Sequence, residues 1–237
     1  LSSLVGKASW YYKDGSFKWL RSWFESNRKT DDWKDQLFWY PIIAGWYDGA
    51  FYTVVKRVKP SRHVGIYVAP VDKLFYDWTV GGGGKQYGPG RPEKVEVPLE
   101  KTFDKITFRS DFDPKSHYLM LDGYSRGFHG HDDGNAIIQF SAEDRVFLVD
   151  GDYIRSLPRY HNIVTFTRDG KSYRIPAFVE LDQKLDFEKT GFTRTSIANY
   201  GGLDWDRNII WLKDKFFLVV DNLNFKERGE YLLRCIW

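Results

Sequence analysis

Two apolar stretches, Lys105-Ile106-Thr107-Phe108-Arg109 and Tyr118-Leu119-Met120-Leu121, decide the fold of this 237-residue chain. The β-branched or aromatic residues Ile106, Thr107, Phe108 and Tyr118 are typical of β-strands. Similar stretches recur at regular spacing and are separated by turns such as Asp169-Gly170, which is a strong hairpin signal. Many short strands at regular spacing predict a β-sandwich or a barrel. The other predicted strands are residues 51–55, 64–68, 95–97, 136–140, 146–149, 163–167, 172–175, 193–198, 209–212 and 216–220.

The N-terminal part of the chain has a different pattern. Within residues 16–40, Phe17, Leu20 and Phe24 recur at helical spacing, and Pro41 ends the pattern. We therefore predict a short helical segment that is followed by a mainly β domain. The helices are few and rich in aromatic residues, which predicts that they pack on another part of the protein.

The composition restricts the classes of function. The 10 Trp, 15 Tyr and 18 Phe suit a β-rich core and also a sugar-binding surface. A net charge of +3 gives no indication of a nucleic-acid partner and only weak support for an anionic substrate. The single cysteine, Cys235, excludes an internal disulfide. The sequence contains no apolar run near the roughly 20 residues of a membrane span, so no membrane span is predicted.

The richest chemical signal is the stretch Gly127-Phe128-His129-Gly130-His131-Asp132-Asp133-Gly134-Asn135. In an extended segment, residues two apart point to the same side, so both imidazoles share one face. Asp150 ends an apolar run, and His161 follows eleven residues later. Imidazole and carboxylate are the usual ligands of zinc-like ions. The spacing by itself fits a metal site and, equally, histidines that are hydrogen-bonded without a metal.

Two other enzyme classes that use His-x-His motifs fit less well. An amidohydrolase barrel needs alternating strands and helices and more histidines downstream, whereas only His161 follows the motif. A cupin needs a Glu a few residues after the second histidine, and residues 132–139 contain none. The cupin interpretation is weakened but stays open.

The order of the motifs resembles the heparinase II/III-like polysaccharide lyases. The resemblance covers roughly residues 100 to 237, and several ordered motifs are more specific than His-x-His alone. The matching stretches are Phe108–Ser110, Tyr118–Asp122, His129–Asn135, Phe147–Tyr153, Arg159–Val164, Phe216–Asp221 and Cys235–Trp237.

The resemblance implies an architecture. Residues 1–40 would be the last helices of a helical α/α toroid, and residues 41–237 would form an antiparallel β-sandwich. The chain begins at Leu1, and its last residues resemble a strand that is cut in mid-course, so we expect a piece of a larger protein. Family members imply a bacterial protein that is secreted or periplasmic and an anionic polysaccharide as its partner.

The resemblance also implies roles for the histidine-rich stretches. His131, Asp150 and His161 match the family's zinc ligands, and the zinc of such sandwiches is structural. His129 matches the histidine that faces the catalytic cleft. Asp133 and Asn162 are candidates to orient the ligand imidazoles from behind.

The implied reaction is β-elimination from a uronate-containing polysaccharide. Removal of the weakly acidic C5 proton builds negative charge on the carboxyl group, which must be neutralised. In the family a Tyr commonly transfers the proton, and the candidates here are Tyr153 and Tyr160. Four side chains, Tyr124, Arg126, Arg155 and Arg159, are candidates to bind substrate, since Arg grips carboxylate or sulfate in a bidentate fork. Each of them fits equally well as an exposed loop residue that has no role in function.

Two competing functions stay open at this point. One is a non-catalytic, metal-stabilised module that binds carbohydrate or has a structural role. The other, less favoured, is a cupin-like metalloenzyme. The sequence leaves the identity of the polysaccharide and the oligomeric state undetermined. Because the catalytic half of a toroid would lie outside the chain, we expect weak or no activity from the 237 residues alone.

Elemental analysis of the purified chain tests the metal site directly. We expect one zinc per chain and its loss, together with lower thermal stability, in His131→Ala. The control is His63→Ala, because His63 lies in a strand-like context and is interpreted as an ordinary structural histidine. If the wild-type chain contains no metal and the His131→Ala variant is equally stable, the metal site is contradicted.

Overall fold

A computed structural model describes residues 64–71, 73–80, 97–111, 115–125, 131–150 and 157–237. The predicted helical segment 1–40 and the predicted strand 51–55 lie outside these residues. Twelve antiparallel strands make up most of the described chain, so the mainly β fold that the sequence predicts is confirmed. The helices of the described residues are all too short or too polar to cross a membrane.

The first sheet, sheet A, contains five strands that pair in chain order. Each strand pairs with the next in antiparallel register, and β2 and β3 are buried along their whole length. The strands are β1 (Gly65–Ala69), β2 (Lys105–Arg109), β3 (Tyr118–Asp122), β4 (Ile137–Ala142) and β5 (Arg145–Val149).

Sheet B is a long four-stranded meander with the order β11-β10-β9-β8. Its strands are β8 (Glu180–Asp186), β9 (Thr190–Tyr200), β10 (Leu203–Leu212) and β11 (Phe216–Phe225). A third, small sheet has the order β12-β6-β7 and contains β6 (Val164–Arg168), β7 (Lys171–Ser172) and β12 (Tyr231–Cys235).

Sheets A and B pack face to face around one core. Alternate residues of β2 and β3, including Phe108 and Leu119, face alternate residues of β10, including Trp211. The Trp211 ring meets Phe108 edge-on at 6.0 Å between ring centroids. Gly191 permits this approach, because a Cβ there would lie 2.8 Å from Ile66 Cδ1. The two inner faces therefore form the layered core of a β-sandwich.

The structure departs from the predicted elements at particular places. Strand β8 was not predicted, because Glu180–Asp186 is mostly polar and exposed and carries no apolar alternation. The helix α1 (Lys73–Val80) was also missed. The predicted strand at 172–175 ends at Ser172, and Tyr173 instead stacks on Phe166 at 5.8 Å. The predicted hairpin turn is present, since β6 and β7 are joined by two residues with positive φ, Asp169 and Gly170.

A buried ion cluster lies at the end of β2 and β3. Lys105 is 1% exposed, and its Nζ donates to Asp104 Oδ1 and to Asp122 Oδ1, at 2.8 Å each. Burial by itself lowers the pKa of Lys105. The two carboxylates have the larger, opposite effect, so the pKa lies above its ordinary value. Burial raises the pKa of Asp122 to about 6, although the positive charge of Lys105 lowers it in part. The amine thus offsets the repulsion between two carboxylates that solvent does not screen.

Replacing Lys105 by Met tests this cluster. We expect a loss of about 3–5 kcal/mol in the free energy of unfolding at pH 8, since two buried carboxylates lose the cation that they share. A carboxyl whose pKa is raised by folding binds its proton more tightly in the folded state. Stability is therefore lost as the pH rises from the unfolded pKa through the folded one, and the defect should be smaller at pH 5.

Urea denaturation at both pH values measures this effect. Lys101→Met is the matched control, because its Nζ makes an exposed ion pair with Glu180 and should change stability little at either pH. A pH-independent defect in Lys105→Met would show that packing, rather than charge, is responsible.

Candidate metal centre

Two histidines that are 30 positions apart meet at one end of sheet A. The rings of His131 and His161 lie 5.6 Å apart between centroids. His131 lies on the connection from β3 to β4, and His161 lies between β5 and β6 directly after a 3-10 turn, Pro158–Tyr160. The structure therefore brings together the two histidines that the sequence analysis selected.

The segment after His131 is held in a tight backbone turn. The amide of Ala136 donates to the carbonyl of Asp133 at 2.8 Å, and Asn135 has φ 68°. A positive φ is unusual for a side-chain-bearing residue, and Asn tolerates it well. The amide of Gly134 donates to Ser125 Oγ at 2.7 Å, which anchors the turn on the end of β3. The side chain of Asp133 is therefore carried on a fixed backbone.

Asp150 holds His161 from behind. Its Oδ2 lies 2.7 Å from His161 Nδ1, and its Oδ1 accepts the backbone amide of Asn162 at 3.0 Å. An ionised carboxylate only accepts hydrogen bonds, so Nδ1 carries a hydrogen, and in the neutral imidazole Nε2 then has the free electron pair. That Nε2 is buried and has no hydrogen-bond partner among the residues that the structure describes. A buried nitrogen with an unused electron pair is the form of imidazole that binds a metal.

The donor atoms that converge belong to His131, Asp133 and His161. One ligand atom of each lies within 4.8 Å of the others. Two imidazoles and a carboxylate suit zinc, and the buried, unsatisfied Nε2 of His161 is a donor that such an ion would use, so the residues fit the metal. Asp150 contacts the opposite nitrogen of His161. The geometry thus favours Asp133 as the third ligand, whereas the family resemblance implies Asp150.

The carboxylates of the centre shift the pKa values of neighbouring groups. Burial lowers the pKa of His161, but its hydrogen bond to Asp150 and the charges of Asp150 and Asp133 raise it more, and the net shift is upward. Burial and the charge of Asp122 raise the pKa of Asp133 well above its usual range. The centre thus concentrates negative charge that a cation would stabilise.

Arg159 and Tyr160 form a unit directly before His161. The guanidinium of Arg159 lies 4.9 Å from the centroid of the Tyr160 ring, and its Nη2 donates to the Tyr160 hydroxyl at 3.0 Å. Both side chains are exposed. Their placement beside the centre agrees with the roles predicted for them, in proton transfer and in substrate binding, but does not test those roles.

The remaining candidate residues are placed differently. The hydroxyl of Tyr124 lies 2.9 Å from Thr79 Oγ1, and its ring packs against Phe178 at 5.1 Å. The hydrogen bond to Thr79 ties Tyr124 to helix α1. Asn162 donates from Nδ2 to the carbonyl of Ile137, so it joins the two loops rather than contacting an imidazole. The other candidates, His129, Arg126, Tyr153 and Arg155, lie outside the described residues.

The chain is similar to parts of two solved structures. One is the heparan sulfate lyase HepC from Pedobacter heparinus, with 15% identity and a TM-score of 0.46 over 86% of this chain. Another is a heparinase III, with 16% identity and a TM-score of 0.46 over 84% of this chain.

The chain spans only part of these proteins, 29% of the lyase HepC and 36% of the heparinase III. No protein-family model and no curated protein sequence matches the chain.

Replacing each of the two aspartates by asparagine, in separate variants, identifies the third ligand. In Asp133→Asn we expect zinc affinity to be lost almost completely, because a direct ligand is removed. In Asp150→Asn we expect a loss of roughly 10- to 100-fold, which is typical when an orienting partner is removed. Competition with a chromophoric chelator measures both affinities.

Asp132→Asn is the matched control. It is adjacent in sequence and buried, but its carboxylate pairs with Arg174 Nε at 3.0 Å. It should retain zinc. The reverse order of effects, with Asp150→Asn the more severe variant, would make Asp150 the ligand.

Proposed function

We propose that this chain forms the β domain of a polysaccharide lyase that cleaves a uronate-containing polymer by β-elimination. The domain carries a structural zinc held by His131, His161 and an aspartate. The observation that carries the proposal is the meeting of His131 with a buried His161 that Asp150 orients, within motifs whose order resembles the heparinase II/III-like lyases.

The proposed substrate follows from the chemistry of that family. A uronate presents a carboxylate next to the carbon that loses its proton, so a cleft must supply positive charge where the enolate-like charge develops. Arg159 is an exposed cation beside the centre and can bind that carboxylate. Tyr160, whose hydroxyl Arg159 contacts, is the group proposed to exchange a proton with the sugar. His129, Tyr153, Arg126 and Arg155 complete the proposed cleft by their positions in the motifs.

The bound zinc would supply cross-linking rather than chemistry. His131 precedes β4, and His161 precedes β6, so a common ion ties two separate loops together at the end of the sandwich. A loop that is fixed in this way holds Tyr160 in a constant position, because Tyr160 directly precedes His161. We therefore propose that loss of zinc lowers activity through lost order of the loops.

The alternatives differ in what they predict for the product. A non-catalytic module binds the polymer and leaves it intact. A cupin-like enzyme acts on small molecules from a closed barrel, and the strands within the described residues form three open sheets. The open sheets favour the lyase domain or the non-catalytic module.

Absorbance of the unsaturated product distinguishes elimination from all other outcomes. We expect the full-length protein to generate this absorbance from at least one polymer in a panel that includes heparan sulfate and alginate. The 237-residue chain alone should be weak or inactive. Tyr160→Phe should reduce the rate of the full-length protein on the order of 100-fold or more, as loss of a proton-transfer group does.

Tyr76→Phe is the control for Tyr160→Phe, since its hydroxyl donates to the carbonyl of Val97 and lies on neither histidine-bearing segment. New reducing ends without the unsaturated bond would indicate a hydrolase and contradict the proposal. Binding of polymer without any cleavage by the full-length protein would establish the non-catalytic module.

A further inference from the structure

A completely buried arginine lies behind both loops of the candidate metal centre. Arg207, on the inward face of β10, is 0% exposed. Its Nε and Nη2 donate to Asp221 Oδ1 and Oδ2 on the neighbouring strand β11, at 2.8 and 3.1 Å. This bidentate pair neutralises the guanidinium, which is the condition for burying a charge.

The remaining donors of Arg207 serve the two loops. Nη1 donates to the carbonyl of Asn135 at 2.6 Å and to the carbonyl of Asn162 at 3.2 Å. Asn135 is two residues after Asp133, and Asn162 directly follows His161. Nη1 of Arg207 thus contacts the backbone of two separate segments, one that carries Asp133 and one that carries His161.

Other hydrogen bonds join the same two segments to each other. Asn162 Nδ2 donates to the carbonyl of Ile137, and the amide of Ile137 donates to the carbonyl of Asn162, at 3.0 and 3.2 Å. Thr195 Oγ1, on strand β9, donates to Asn135 Oδ1 at 2.8 Å. The loops therefore form one unit on sheet A, and Arg207 fastens that unit to the opposite layer.

We propose that Arg207 is a positioning residue that fixes the separation of the two metal-ligand loops. The inference rests on the proposed metal site. Arginine suits this task because its planar fork can hold a carboxylate on one edge while a remaining N–H reaches the carbonyls. A lysine ammonium has three donors on a single nitrogen and cannot span Asp221 and both loops together.

Arg207→Lys is the decisive variant, since it keeps the positive charge next to Asp221 and so preserves the fold. Arg207→Met is the second variant and removes the charge as well. The matched control is Arg194→Lys, because Arg194 lies on sheet B but is exposed and pairs with Asp206 at 2.6 Å.

Amide hydrogen exchange on the metal-free protein is the first measurement. In Arg207→Lys we expect exchange of the amides of Asn135, Ile137 and Ile163 to rise roughly five- to tenfold, the effect of losing one or two hydrogen bonds. The amides of β9 and β10 should keep their protection, and Arg194→Lys should match the unchanged protein. Faster exchange spread evenly over both sheets, or none in the loops, would overturn the proposal.

Zinc affinity is the second measurement, by chelator competition with zinc alone. We expect Arg207→Lys to bind roughly 10- to 100-fold more weakly, as with other outer partners of metal ligands. Unchanged zinc affinity in a variant with loosened loops would overturn the proposed control of ligand spacing. If the unchanged protein binds no zinc, the proposed metal site fails, while the exchange result still decides whether Arg207 positions the two loops.

Discussion

One face of strand β10 is completely withdrawn from solvent, and the rest of the sandwich depends on it. Its inward residues are Leu203, Trp205, Arg207, Ile209 and Trp211, each 0% exposed. The indoles fill the space between the layers, and the guanidinium among them must be neutralised in place, because an unpaired buried charge is costly. Asp221 provides that neutralisation from β11, and Trp205 Nε1 donates to the same carboxylate at 2.8 Å. A hydrophobic layer and a polar network therefore share a single strand.

Much of the fold could be predicted because most strands have a recognisable pattern in their own short stretch of sequence. Lys105–Arg109 contains the β-branched or aromatic residues Ile106, Thr107 and Phe108, Tyr118–Asp122 is a short, largely apolar run, and both are the buried centre of sheet A. The strand Glu180–Asp186 could not be found in this way, because its pairing with β9 supplies backbone hydrogen bonds and its side chains stay in solvent. The helix Lys73–Val80 is short, and its apolar residues do not differ from those of a strand.

The candidate site was predictable as a set of residues but not as a geometry. The order of the motifs selects His131 and His161, which the structure brings together. Sequence spacing cannot tell whether a carboxylate reaches the space between the imidazoles or the far nitrogen of one of them, so the positions of Asp133 and Asp150 emerge only in three dimensions. Arg207 did leave a signal, since it is a charge at an inward position between Trp205 and Ile209 in an otherwise apolar alternation.

The buried amine of Lys105 has a further consequence for how sheet A is assembled. Lys105 lies directly opposite Asp122 across β2 and β3. Side chains alternate between the two faces of a sheet, so sliding one strand by a single residue would turn one charge toward the apolar core and away from its partner. A slip of two residues would keep apolar neighbours such as Ile106 and Leu121 on the core side, whereas it would separate Lys105 from Asp122. The cluster thus favours one alignment of β2 and β3 over alignments that the apolar residues alone would allow.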